Sequence, residues 1–95
     1  MKKIIGFILA VLLFYSCGEY QKLLKSNDYQ LIYSKAIEYY NKGEYQKAMN
    51  LFDGIRTVFT GTSKAQSIAY YRAFCTYNQK EYQYASELFK QFITI

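Results

Sequence analysis

The side chains that could do chemistry are few, and they are spread along the chain. There is no histidine, so the commonest general base is absent. The carboxylates Glu38, Glu44, Asp53, Glu81 and Glu87 fall singly at what read as helix surfaces. Glu44 and Glu81 stand at expected helix starts, where the helix dipole favours a negative charge. No glycine-rich phosphate loop and no cluster with metal-ligand spacing occurs. This pattern argues against an enzyme and implies no metal, no cofactor and no small-molecule substrate. The abundant functional chemistry is tyrosine: 12 Tyr and 7 Phe, with no Trp, in 95 residues. A tyrosine ring offers a rigid apolar face and a polar tip, the combination used at half-buried positions and binding surfaces. The net charge of +5 is not gathered into a basic run, which argues against nucleic acid as a partner.

Two cysteines remain, and their surroundings differ. Cys17 ends a segment with Lys2 and Lys3 at its start and an apolar run from Ile4 to Phe14. That run is 11 residues, against about 20 for a spanning helix, so it fits the apolar region of an export signal. The sequence Leu13-Phe14-Tyr15-Ser16-Cys17 resembles a lipobox, in which a small residue precedes a cysteine that receives a diacylglycerol. Residues 1–16 are thus expected to be a lipoprotein signal peptide, with Cys17 as the lipid-attachment site carrying palmitate-type acyl chains. Two or more such chains hold a protein stably on a membrane, each buried methylene contributing about 0.8 kcal/mol. Gly18 follows the cysteine in place of an inner-membrane retention aspartate, so the expected address is the periplasmic face of the outer membrane. Cys75, between Phe74 and Thr76, reads as a small buried hydrophobe.

The elements that position the tyrosines are visible in an internal repeat. Shifted by 37 residues, the chain falls on itself: Tyr33 on Tyr70, Ala36 on Ala73, Tyr40 on Tyr77, Glu44-Tyr45-Gln46 on Glu81-Tyr82-Gln83, Ala48 on Ala85, Leu51-Phe52 on Leu88-Phe89. The matches recur at i, i+3, i+4 and i+7, one face of a helix. Proline is absent, so nothing interrupts long helices. Four helices are predicted, over 28–42, 44–59, 63–79 and 81–95. Gly43 supplies a left-handed turn between the first two. Gly61 breaks the second helix, and Ser63 with Gln66 has the spacing of a capping box for the third. Residues 17–27 are expected to be a lipidated polar tether, with room for a turn of helix in 18–27. The two repeats span 28–61 and 62–95.

The pattern Ala36, Gly43-Glu44-Tyr45, Ala48, Phe52, repeated as Ala73, Lys80-Glu81-Tyr82, Ala85, Phe89, resembles the tetratricopeptide repeat. The expected fold is therefore all-α, an α-solenoid of two helix-turn-helix units. The period is 37 here against about 34 in that family, and the proline that usually closes a repeat is missing. The order of pieces is more specific. After the cysteine come Glu19-Tyr20-Gln21-Lys22-Leu23-Leu24, then Tyr39-Tyr40-Asn41-Lys42-Gly43-Glu44-Tyr45, Phe59-Thr60-Gly61-Thr62, Ala69-Tyr70-Tyr71 and Tyr84-Ala85-Ser86-Glu87-Leu88-Phe89. This succession is similar to the start of the BamD family, lipoproteins of the outer-membrane β-barrel assembly machinery.

That resemblance implies a non-catalytic assembly component. Its partners would be unfolded outer-membrane proteins and a BamA-like barrel subunit. Family members are longer, so the resemblance also implies an array truncated at its C-terminus, keeping the substrate-side half. In tetratricopeptide arrays the first helix of each pair lines a concave groove. By matching positions, Tyr33, Tyr40 and Asn41, then Tyr70, Tyr77 and Asn78, are the peptide-groove candidates, flanked by Gln30, Ile37, Ser67 and Phe74. The other function compatible with the sequence is an envelope scaffold lipoprotein for nutrient uptake or cell-wall coordination.

Overall fold

The computed structural model describes residues 18–94. The signal segment and Cys17 lie outside the described residues. Within them the chain is all-helical: α1 over 18–25, α2 Tyr29–Asn41, α3 Tyr45–Ile55, α4 Ser63–Asn78 and α5 Tyr82–Thr94. Helices α2 and α3 pack together, as do α4 and α5, and α3 packs on α4. A lighter contact joins α2 to α4. No helix among the described residues is long and apolar enough to cross a membrane.

The 37-residue register of the sequence reappears in the turns. At the end of α2, the Glu44 amide donates to the Tyr39 carbonyl (2.9 Å) and the Gly43 amide to that of Tyr40 (3.0 Å). At the end of α4, the Glu81 amide donates to Thr76 (3.0 Å) and the Lys80 amide to Tyr77 (3.0 Å). Both are the paired bonds of a Schellman close, which needs a left-handed residue at the turn. Gly43 takes it at φ 81° without a Cβ penalty, whereas Lys80 is forced to φ 66°. The following helices both begin one residue after a glutamate, at Tyr45 and Tyr82.

The core follows the same register. Ala36 and Ala73 are buried on the first helices, and Ala48 and Ala85 on the second. Their small side chains let each helix pair approach closely. Leu51 and Phe52 fill the first hairpin, and Ile68, Cys75 and Thr76 complete the junction with α4. The Thr76 hydroxyl is satisfied by the carbonyls of Ala73 (2.8 Å) and Arg72 (3.0 Å), so it can be buried without penalty.

Three local expectations are corrected. The single helical turn allowed to residues 18–27 extends to a helix over 18–25. Tyr20 and Leu23 are buried there, because one face of α1 is apolar enough to join the core. The Tyr20 hydroxyl accepts from the Asn50 amide (2.8 Å), its ring meets Tyr39 edge-on at 5.9 Å, and Glu19 pairs with Lys35 at 3.2 Å. Five helical segments are therefore present among the described residues, not four.

The second correction concerns α3, which stops at Ile55 rather than at 59. Thr57, Val58 and Thr60 are β-branched and lose rotamer freedom in a helix. The Phe59 amide reaches Ile55 at a long 3.4 Å, yet Phe59 stays buried, because the turn continues near the helical path. The third is the capping box, which does not form. Thr62, in extended conformation, takes the cap position one residue early, and its hydroxyl donates back to the Phe59 carbonyl (2.6 Å). A side-chain cap does form at Asp28, whose carboxylate accepts from the Leu31 amide (3.2 Å), satisfying one of the free amides of the first turn.

Lys80→Gly removes the left-handed strain at an exposed position. It is expected to stabilise the fold by about 1 kcal/mol, raising the thermal midpoint by roughly 4–8 °C. Circular dichroism melts of the two proteins check this.

Candidate binding surface

The tyrosines chosen from the sequence separate into packed and open ones. Tyr33 is half-buried between Phe52 (6.4 Å, edge-on) and Phe59 (6.1 Å), with the Lys64 ammonium 5.6 Å from its ring. Tyr40 is also half-buried, held between Tyr45 (5.5 Å) and Tyr71 (5.0 Å). Tyr33 packs within the first hairpin, and Tyr40 reaches α4 at the joint between the hairpins. Tyr70 and Tyr77, their counterparts 37 residues on, are 41% and 51% exposed. Tyr70 touches Phe74 (4.6 Å) and Phe92 (6.1 Å). Tyr77 touches Tyr82 at 5.4 Å.

The flanking polar residues also differ. Asn41 is exposed at the end of α2. The Asn78 amide donates to the Phe74 carbonyl of its own helix at 2.7 Å, which takes one of its donors away from any peptide. Ser67, Gln66, Tyr70, Tyr71 and Phe92 line one open hollow beside α4. The first-repeat candidates are not part of it. The structure thus brings Tyr70 and Ser67 to a shared surface with Phe92 and leaves Tyr33 and Tyr40 inside the packing.

Tyr71 is the residue that sequence reasoning missed. Its ring lies parallel to Phe52 at 5.1 Å, with 3° between the planes, and meets Tyr40 edge-on. Beside it, Arg72 is 95% buried and its Nε donates to the Asp53 carboxylate at 2.6 Å. A buried guanidinium is tolerated only with such a partner. The signal was present in a second apolar stripe on α4: Ile68, Tyr71 and Cys75 stand at i, i+3 and i+7. A helix apolar on two sides is one packed from two sides, here by α3 and α5.

Cys75 is fully buried. Burial pushes its thiol up to about 12, and the nearby Asp53 charge adds to the shift. Burial likewise raises the phenols of Tyr39, Tyr40 and Tyr71. Such a thiol is a packing group and not a nucleophile. Among the described residues no group of three or more potential ligand side chains could hold a metal ion. Comparison with protein-family models, curated proteins and solved structures returns no match for this chain.

These shifts fix how stability responds to alkali. Each raised group keeps its proton longer in the fold than in the unfolded chain, so its contribution is complete below the unfolded pKa. For Cys75 it is lost as pH rises from the ordinary thiol value of about 8.5 towards about 12. The denaturation midpoint is therefore expected to fall between pH 8 and pH 11. A thiol reagent at pH 8 should leave Cys75 unmodified in the native protein and modify it fully in denaturant. Rapid native modification would contradict the buried placement.

Proposed function

We propose that the chain is a lipid-anchored, non-catalytic binding protein of the cell envelope, built as two tetratricopeptide-like repeats. Its task is that of a BamD-type component of outer-membrane β-barrel assembly. It takes hold of unfolded barrel proteins and a BamA-like subunit at the periplasmic face of the outer membrane. The observation that carries this reading is the open aromatic surface of α4 and α5. Tyr70 stands exposed against Phe74 and Phe92, on hairpins closed by identical turns. Aromatic rings fixed by a rigid scaffold grip an extended, aromatic-rich segment with little entropy loss on the protein side.

The division of the tyrosines refines which residues do the gripping. Tyr33 packs inside the first hairpin and Tyr40 joins it to α4, so their removal acts on folding. Tyr70 has free ring surface and is the contact residue of choice. The lipid anchor at Cys17 confines the chain to a membrane surface, where its partners are inserted.

Three outcomes are expected. Cys17→Ser abolishes incorporation of labelled palmitate and releases the chain from membranes. Continued labelling would exclude Cys17 as the acceptor. Tyr70→Ala weakens binding of an extended aromatic-rich peptide about tenfold, on the scale of one truncated anchor, without lowering the melting temperature of the scaffold by more than a few degrees. Equal affinity in isothermal titration would remove Tyr70 from the site. Cross-linking in native membranes followed by mass spectrometry recovers the barrel-assembly subunit. Recovery of a transporter or of cell-wall enzymes instead would assign the chain to a different envelope scaffold.

A further inference from the structure

The 37-residue register extends to two cavities, each between a hairpin and the segment that precedes it. The first, of about 260 Å³, has Leu23 and Leu24, Ile32 of α2, and Leu51 and Gly54 of α3 in its lining. The second, of about 470 Å³, has the matching positions in its lining: Thr60 and Gly61, Ala69 of α4, and Leu88 and Gln91 of α5. It therefore lies on the side of the second hairpin that faces the first. Three substitutions enlarge it. Leu23, Leu24 and Ile32 give way to Thr60, Gly61 and Ala69, each of them smaller, and Thr60 brings a hydroxyl. The resulting volume is within the roughly 300–1,000 Å³ of small-ligand sites.

The charges change with the shape. In the first unit Glu19 and Lys35 pair at 3.2 Å. Their counterparts 37 residues on are Arg56 and Arg72, both in the lining of the second cavity. The carboxylate of the first pair is thus replaced by a guanidinium. Asp53 offsets one of the two charges, through the Nε of Arg72 at 2.6 Å. Among the described residues Arg56 joins no ion pair. Two cations on one cavity wall repel each other unless an anion stands between them.

We infer that this cavity binds a terminal phosphate group, as inorganic phosphate or as a monoester. A carboxylate has two oxygens, which a single guanidinium fork can satisfy. A terminal phosphate presents three strong acceptor oxygens, enough to engage Arg56 and Arg72 together. Arg72 has donors for it, since a guanidinium carries N–H groups beyond the Nε–H given to Asp53. Ala69 and Leu88 offer an apolar wall to the carbon chain of an ester. The cavity uses Ala65, Ala69 and Arg72 of α4, whereas the candidate peptide surface uses Ser67, Tyr70 and Tyr71. The two sites are on different faces of the helix, and neither requires the other.

The test uses the full chain. The Arg56 Nε–H and Gly61 amide resonances are followed by nuclear magnetic resonance during titration with inorganic phosphate, glycerol 3-phosphate and acetate. The phosphates are expected to shift both resonances to saturation, and acetate to leave them in place at the same concentrations. Arg56→Gln alters an exposed side chain and should weaken phosphate binding about tenfold, the loss of one charge-assisted contact. Lys22→Gln removes an equal charge from α1 and should leave binding unchanged. Ala65→Asp lies in the first turn of α4, where the helix dipole favours a carboxylate. It sets an anion on the cavity wall and should abolish binding while the melting temperature holds. Phosphatidylcholine vesicles with and without phosphatidic acid separate the sources. Retention that needs phosphatidic acid and is lost in Ala65→Asp assigns a lipid headgroup. Binding of glycerol 3-phosphate without such retention assigns a soluble ester. The absence of a saturable shift overturns the proposal, as does equal affinity in Arg56→Gln or binding of acetate as tight as that of phosphate. Tyr70→Ala should leave phosphate binding unchanged, so either reading can fail without the other.

Discussion

Two neighbouring residues of α4 anchor it to the first hairpin. Tyr71 lies flat on Phe52 while Arg72 beside it closes on Asp53. The two interactions are complementary. The ring stack is broad and apolar and fixes how far α4 sits from the first hairpin. The ion pair is narrow and directional and fixes its rotation. Neither hairpin could bury its aromatic face alone, since each presents one side of its second helix outward. Two helical hairpins packed in series are stabilised by the interface between them as much as by each unit. The buried side chains of Ile68 and Cys75 contribute to that interface from α4.

Around this joint the tyrosines acquire different duties from the same sequence pattern. Positions 33 and 70 match, as do 40 and 77, but the first of each pair is half-buried and the second is exposed. The difference is one of location within the array, with no change in residue type. A ring that meets a neighbouring hairpin becomes structural. An identical ring without such a neighbour among the described residues is available for other contacts. This explains why tyrosine suits the position: its apolar face can pack, and its hydroxyl accepts water where packing is incomplete.

Much of the fold was legible because its signals are local and repeated. The stripe Tyr33, Ala36, Ile37, Tyr40 announced α2, and Gly43 announced the turn that follows, with the φ of 81° that glycine favours. The matching Lys80 shows that the turn is imposed by the register of the hairpin, since lysine would not choose it. What the sequence concealed was long-range. Tyr20 in a polar stretch gave no hint that it would meet Tyr39 and Asn50. Asp53 read as a surface carboxylate because its partner is 19 residues away. The candidate surface was legible as a set of rings but not as a division between packed and open ones, which only the placement of α4 decides.

The short helix α1 changes what a membrane anchor at Cys17 would mean mechanically. Gly18 is already helical, and within the next turn and a half Tyr20 and Leu23 clamp the chain to the body. A disordered leash would let the folded part wander over a hemisphere and sample partners in three dimensions. With a lipid at Cys17, a stem fused to the body would leave almost no leash. The protein would ride at a fixed stand-off from the lipid, with its long axis constrained, and meet partners by lateral diffusion within a thin layer. Encounters would then be governed by height above the bilayer: a binding face held at the right altitude gains in effective concentration, and one held elsewhere is excluded.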